Sequence, residues 1–333
     1  MTTAEVEPGT PRSGPAPSGP VRVLFIGGLG RSGSTLLDRM LGRLTDVCSV
    51  GELVHLWERG LKENNRCGCG ERFRDCPFWR RVGQVAFGGW DTVDVDEILA
   101  LKASVDRNRF VPLMVLPVLR PAYRRRLDRY SDLLERLYVG VREVSGRPLV
   151  VDASKHASAA FLVRRMRAVD LRLVHLVRDS RGVAFSWTKR VRQAEAVAGD
   201  ALMATNSPLR LSARYLGYNL LFHLLRLTGV PGLLLRYESL VRDPERELAR
   251  VLALAGRPRA VGELGFVGDG WVELGPSHAL AGNPMRFRSG RVPLAVDEEW
   301  RRRLRRRHRL ITVASTWPLL LRYGYLGGAA RRR

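Results

Sequence analysis

Residues 21–41, "VRVLFIGGLGRSGSTLLDRML", constrain the fold of this 333-residue chain more than any other segment. "VRVLFI" at 21–26 is a short apolar run that fits a buried parallel strand. Gly27, Gly28, Gly30 and Gly33 follow, interleaved with the hydroxyls of Ser32, Ser34 and Thr35. "STLLDRMLGRL" at 34–44 then has helical spacing, with Leu36, Leu37, Met40, Leu41 and Leu44 on one side. A strand, a glycine-rich turn and a helix start make an anion site. The glycines expose amide hydrogens, and the first turn of the helix adds its free N–H groups and the positive end of its dipole.

The rest of the chain repeats that rhythm. Strands are predicted over 148–154 ("PLVVDAS"), 171–179 ("LRLVHLVRD") and 232–240 ("GLLLRYESL"). The first two are followed by the helical stretches "AAFLVRRMRAV" and "GVAFSWTKRV", and a helix after the third starts near Asp243-Pro244, where proline suits a first turn. Alternating strands and helices imply an α/β fold, a P-loop NTPase-like parallel sheet flanked by helices. Residues 56–147 read as a mainly helical insertion or cap on the acceptor side of a single domain spanning 21–326. Residues 1–20, rich in proline and glycine, are expected to be a disordered tail, and 327–333 a short basic one.

The formal net charge of +23 would suit nucleic acid, an acidic surface or an anionic ligand. Only four lysines occur, Lys62, Lys102, Lys155 and Lys189, so arginine carries nearly all of the positive charge. That bias is partly compositional. No basic helix interleaved with aromatics and no zinc-finger spacing appears, so nucleic acid is not an expected partner. "FVPLMVLPVL" at 110–119 is too short to span a bilayer and contains prolines. With no signal-peptide core at the N-terminus, a soluble cytoplasmic protein is expected.

Of four cysteines, Cys67, Cys69 and Cys76 cluster in "CGCGERFRDCPFW" as C-x-C-x6-C. A disulfide, a metal site and reduced thiols compete. Zinc takes four ligands, commonly in paired CxxC or CxxC/HxxxH spacing. Here a fourth would have to come from Cys48 or His55, and nothing in the sequence points to either. A structural or redox-sensitive thiol cluster is the expectation, and no metal is assigned.

The glycine loop resembles the ATP-binding pattern G-x-x-x-x-G-K-[ST], with Gly28 and Gly33 at the right separation. Ser34 stands where the lysine should be, and the cation has moved three residues back to Arg31. No magnesium-binding carboxylate follows an apolar strand. "GRSGSTLL" resembles instead the phosphosulfate-binding loop of sulfotransferases that use 3′-phosphoadenosine 5′-phosphosulfate (PAPS). An arginine at this position is closest to the tyrosylprotein and glycan sulfotransferase branch. The resemblance implies that Gly30, Arg31, Ser32, Gly33, Ser34 and Thr35 hold the donor's 5′-phosphate.

The same resemblance assigns further residues. Arg178, at a strand end, and Ser186, eight residues later, match the family's 3′-phosphate motif. Glu52, preceded by Gly51 and 21 residues after Arg31, matches the general base of the tyrosine-sulfating branch. His55 is the second choice, since cytosolic members use histidine. Lys155 matches a lysine near the leaving phosphate, and Arg31 joins it in stabilising charge. In "LLLRYESLVRDPE", Tyr237 is placed against the donor and Glu238 is expected to order neighbouring basic residues. "HALAGNPMRFRSG" at 278–290 resembles the nucleotide-covering loop, with Asn283, Arg286 and Arg288 as candidates. His156 is read as an ordinary surface histidine and Asp152 as structural. The implied reaction is in-line sulfonate transfer from PAPS to an acceptor hydroxyl, of a small molecule or a glycan, without a metal. The acceptor is expected to meet the arginines and aromatics of 56–147, among them Trp57, Phe73, Phe78, Trp79 and Trp90. Two other readings remain open, a nucleotide-dependent kinase with a degenerate loop and a non-catalytic nucleotide- or anion-binding module.

Overall fold

The computed structural model describes residues 19–116, 118, 120–188 and 207–326. The two predicted tails, apart from Gly19 and Pro20, lie outside the described residues, as do Lys189 and the end of the helix "GVAFSWTKRV" predicted after 171–179.

Five strands form one parallel sheet: β1 (Val21–Gly27), β2 (Val47–Gly51), β3 (Leu149–Lys155), β4 (Val169–Val177) and β5 (Gly232–Arg236), in the spatial order β2-β3-β1-β4-β5. Val23 of β1 is paired with Val150 of β3 on one side and Leu171 of β4 on the other. Val21, Val23 and Phe25 pack on one face with Trp57, Trp79 and Tyr130. Leu24 and Ile26 pack on the opposite face with Leu37, Met40 and Leu248. A strand covered on both faces must be apolar at nearly every position, which is why β1 reads as a continuous run. The architecture is α/β with a parallel central sheet flanked by helices, as expected.

Differences from the sequence reading are local. β5 stops at Arg236 because Tyr237–Arg242 forms a short helix, so the predicted strand was too long. Helix Pro244–Leu254 follows, with the Asp243 side chain accepting from the Arg246 amide. An antiparallel sheet of β6 (Val267–Gly268), β7 (Trp271–Leu274) and β8 (Gly290–Pro293) was not foreseen, its strands of two to four residues being too short to show a period. Trp300–Arg303 is a short turn with Trp300 and Leu304 buried, and the last helix is Arg306–Arg322.

The insertion is helical, chiefly Pro77–Phe87, Val95–Val105 and Pro121–Ser145. Trp57, Phe73, Phe78, Trp79 and Trp90 are all buried in its core, so these aromatics hold the insertion together and face no ligand. Cys67, Cys69 and Cys76 form no disulfide. Neither Cys48 nor His55 joins them; the nearby fourth group is His278. Among the described residues no helix is long and apolar enough to cross a membrane.

Asp38 lies within the first helix, Ser34–Leu41, on its buried side, and is 1% exposed. Burial pushes its carboxyl up to about 7. The unfolded chain ionises this group near pH 4, so the folded state holds an extra proton in between, and stability falls as pH rises through that window. Asp38→Asn has no proton to lose. Relative to wild type, its stability should rise by about 2–3 kcal/mol between about pH 5 and about pH 8, at about 1.4 kcal/mol per unit of pKa shift. Urea unfolding at both pH values measures this, and a pH-independent difference would assign the titration to another group.

Candidate active site

All five parallel strands deliver candidate site residues at their carboxyl ends, the edge at which open α/β sheets bind ligands. β1 leads into the glycine loop, β2 into Glu52, β3 ends on Lys155, β4 leads into Arg178 and β5 into Tyr237. These residues surround one cleft of about 590 Å³, within the usual size of a small-ligand site.

In the loop, Gly33 has φ 93°, and a Cβ there would lie 2.4 Å from the Tyr237 ring, so both conformation and space demand glycine. This left-handed residue starts helix Ser34–Leu41, whose first residues, Ser34 and Thr35, line the cleft. Gly30 and Arg31 also line it, whereas Ser32 is buried beneath the loop. Arg31 is held at φ 71°, a strained conformation for a side chain of this size. Its guanidinium stacks over Trp187 at 5.1 Å, and Trp187 Nε1 donates to the Gly30 carbonyl at 3.3 Å.

Arg178 is buried, donates to the Arg31 carbonyl and to Asp297 at 3.1 Å each, and stacks over Tyr237 at 4.6 Å. Its neighbour Asp179 is engaged by Arg181, not by Arg178. Ser186, in helix Ser180–Thr188, opens onto the same cleft. Glu238 orders no basic residue: it accepts from the Asp179 amide at 3.1 Å and from the Tyr325 hydroxyl at 2.5 Å.

Glu52 is 6% exposed and paired with Lys155. Gly51 before it has φ 72°, and its missing side chain admits the Leu280 backbone, whose carbonyl would lie 2.5 Å from a Cβ. The Glu52 amide donates to that carbonyl at 2.7 Å. Lys155, like Arg31, is left-handed, at φ 65°. His55 Nε2 lies 3.5 Å from the second Glu52 oxygen. Burial, reinforced by the charges of Arg59, Lys102 and Lys155, pushes His55 down to about 2, leaving a neutral ring of very low basicity. His156 is no surface residue: it lines the cleft, and burial pushes it down to about 4. Asp152 is structural, accepting from Tyr138 at 2.5 Å and from the Ser154 amide at 2.8 Å.

From the late loop, Asn283 and Arg288 reach the cleft. Arg286 does not line it: its guanidinium is buried and donates at 2.7 Å to the carbonyls of Ala279 and Arg66, which ties the loop down. Trp187, Arg59 and Arg214 line the cleft without having been singled out. Trp187 sits beside Ser186 and was legible in principle, whereas Arg59 and Arg214 were hidden among so many arginines. Among the described lining residues, Arg31, Arg59, Lys155, Arg178, Arg214 and Arg288 face a single carboxylate, Glu52. With Lys155 paired to Glu52 and Arg178 to Asp297, the lining still carries a net positive charge, which suits an anion.

The profile of the sulfotransferase family matches residues 23–260. No curated protein matches the chain. Solved structures similar to it include the sulfotransferase domain of the Synechococcus PCC 7002 olefin synthase, with 19% identity, 92% of this chain and 96% of that one covered, and a TM-score of 0.47. The sulfotransferase domain from the curacin biosynthetic pathway has 19% identity, 89% and 97% coverage and a TM-score of 0.43. A sulfotransferase from Alicyclobacillus acidocaldarius has 15% identity, 95% and 100% coverage and a TM-score of 0.36. The matched span contains the glycine loop, Glu52, Lys155, Arg178, Ser186 and Tyr237, and the chain belongs to the sulfotransferase family.

Proposed function

We propose that the chain transfers the sulfonate group of PAPS to an acceptor hydroxyl, of a small molecule or a glycan. One observation carries this reading: the amide-rich loop with Arg31, the pair Arg178 and Ser186, and the ion pair Glu52–Lys155 meet in a single cation-lined cleft. Two separate anion-binding groups suit a donor with two separate phosphates. In this reading residues 30–35 hold the 5′-phosphosulfate, and Arg178 with Ser186 hold the 3′-phosphate. Tyr237 packs on Arg178, and Asn283 and Arg288 approach from the late loop.

The acceptor oxygen attacks sulfur in line as the bond from sulfur to the bridging oxygen breaks, and 3′-phosphoadenosine 5′-phosphate leaves. Glu52 takes the hydroxyl proton. Lys155 exchanges Glu52 for the bridging oxygen and, with Arg31 and the loop amides, stabilises the charge that develops there. Positioning and electrostatics do the work, and the scheme needs no metal.

Calorimetric titration with 3′-phosphoadenosine 5′-phosphate tests the donor site. Binding is expected to be tight and unaffected by magnesium. Removing a buried charged partner costs about 2–5 kcal/mol, so Arg178→Ala should weaken binding at least about 30-fold. Binding of ATP alone, and only with magnesium, would move the chain to kinase chemistry.

A further inference from the structure

We propose that Cys67, Cys69, Cys76 and His278 form a structural zinc site that fastens the late loop to the helical insertion. The four ligand atoms all lie within 4.8 Å of one another. Cys69 Sγ is 3.7 Å from Cys76 Sγ, and His278 Nδ1 is 3.3 Å from Cys76 Sγ and 3.8 Å from Cys67 Sγ. Around a tetrahedral zinc with Zn–S near 2.3 Å and Zn–N near 2.0 Å, neighbouring ligand atoms fall about 3.5–3.8 Å apart. A disulfide would need its sulfurs about 2.05 Å apart. Three thiolates and an imidazole are a zinc-type donor set, and four protein ligands leave no open position, as in structural sites.

The backbone presents these ligands before any metal arrives. Arg66 and Arg72 form an antiparallel bridge, the Cys67 amide donates to the Glu71 carbonyl at 2.8 Å and the Gly70 amide to the Cys67 carbonyl at 2.9 Å. That tight turn carries Cys67 and Cys69. Cys76 precedes helix Pro77–Phe87, its amide donating to the Arg72 carbonyl at 2.9 Å. His278 arrives from 202 residues further on. Its carbonyl accepts from Trp79 Nε1 at 3.0 Å, and its ring stacks on Phe78 at 4.9 Å. Such outer contacts orient a metal-binding imidazole.

None of the four ligands lines the cleft. The site acts at one remove. His278 lies two residues before Leu280, whose amide donates to the Val50 carbonyl at 2.9 Å and whose carbonyl receives the Glu52 amide. The same loop continues to Asn283 and Arg288. Zinc would therefore set the position of the late-loop wall of the cleft, whatever the cleft binds.

Elemental analysis of the purified full chain should find one zinc per chain. Cobalt titrated into the chelator-treated protein should give thiolate-to-metal charge-transfer absorption and tetrahedral ligand-field bands. Cys69→Ser should weaken zinc binding by more than about a hundredfold, since even outer-shell partners cost up to that much. Cys48→Ser should leave it unchanged. Chelation should speed tryptic cleavage at Arg286 and Arg288, and zinc should restore protection. A wild-type chain that takes up no zinc and gives no charge-transfer band with cobalt overturns the site. Cleavage of the late loop at the same rate with and without metal overturns the fastening.

Discussion

Glu52→Gln is expected to lower kcat by about 10²- to 10⁴-fold while affinity for 3′-phosphoadenosine 5′-phosphate is kept. Glutamine has the same size and reaches the same places, but it takes no proton. The carboxylate is buried at the cleft wall, with Lys155 on one oxygen and His55 3.5 Å from the other. His55, pushed down to about 2, is too weak a base to substitute. Formation of 3′-phosphoadenosine 5′-phosphate over a panel of hydroxyl acceptors, alongside calorimetry, separates chemistry from binding. Full turnover in Glu52→Gln together with its loss in His55→Gln would hand the proton to His55.

Lys155→Met should cost about 10²- to 10³-fold in kcat, the usual effect of removing one group that stabilises transition-state charge. Lys155→Arg should recover part of this by keeping the charge. Because Lys155 and Glu52 are ion-pair partners, their effects should not add: the double variant should be little slower than the worse single one. Additive losses in this cycle would mean that the two groups act on separate steps.

Residues read at strand ends were found where they were sought because a parallel sheet leaves little choice. An apolar run followed by glycine, serine or arginine fixes both the strand and the edge its last residue occupies. Arg31, Lys155 and Arg178 were legible for that reason, whereas Tyr237 fell inside a predicted strand that in fact ends at Arg236. Placement failed where a side chain's direction depends on distant packing. Nothing local distinguishes Arg286, spent on two carbonyls, from Arg288, which reaches the cleft. Trp57, Trp79 and Trp90 belong to a core that exists only once the insertion has folded. The fourth member of the cysteine cluster was invisible because spacing rules look nearby, and His278 comes from the far end of the chain.

The walls of the cleft come from segments between Leu29 and Ala295 in the chain, among them one after each strand of the parallel sheet and the late loop. A ligand seated there touches pieces that are remote along the polypeptide and adds one more tie between them. It works as a rivet through several plates. Whatever it gains on binding is added to the free energy of unfolding, about 2.7 kcal/mol at a hundredfold excess over Kd. Segments that could loosen one at a time in the empty protein must then let go together. The lifetime of the polypeptide and the concentration of its small-molecule partner become linked quantities, so a cell short of the ligand would also come to hold less of the protein.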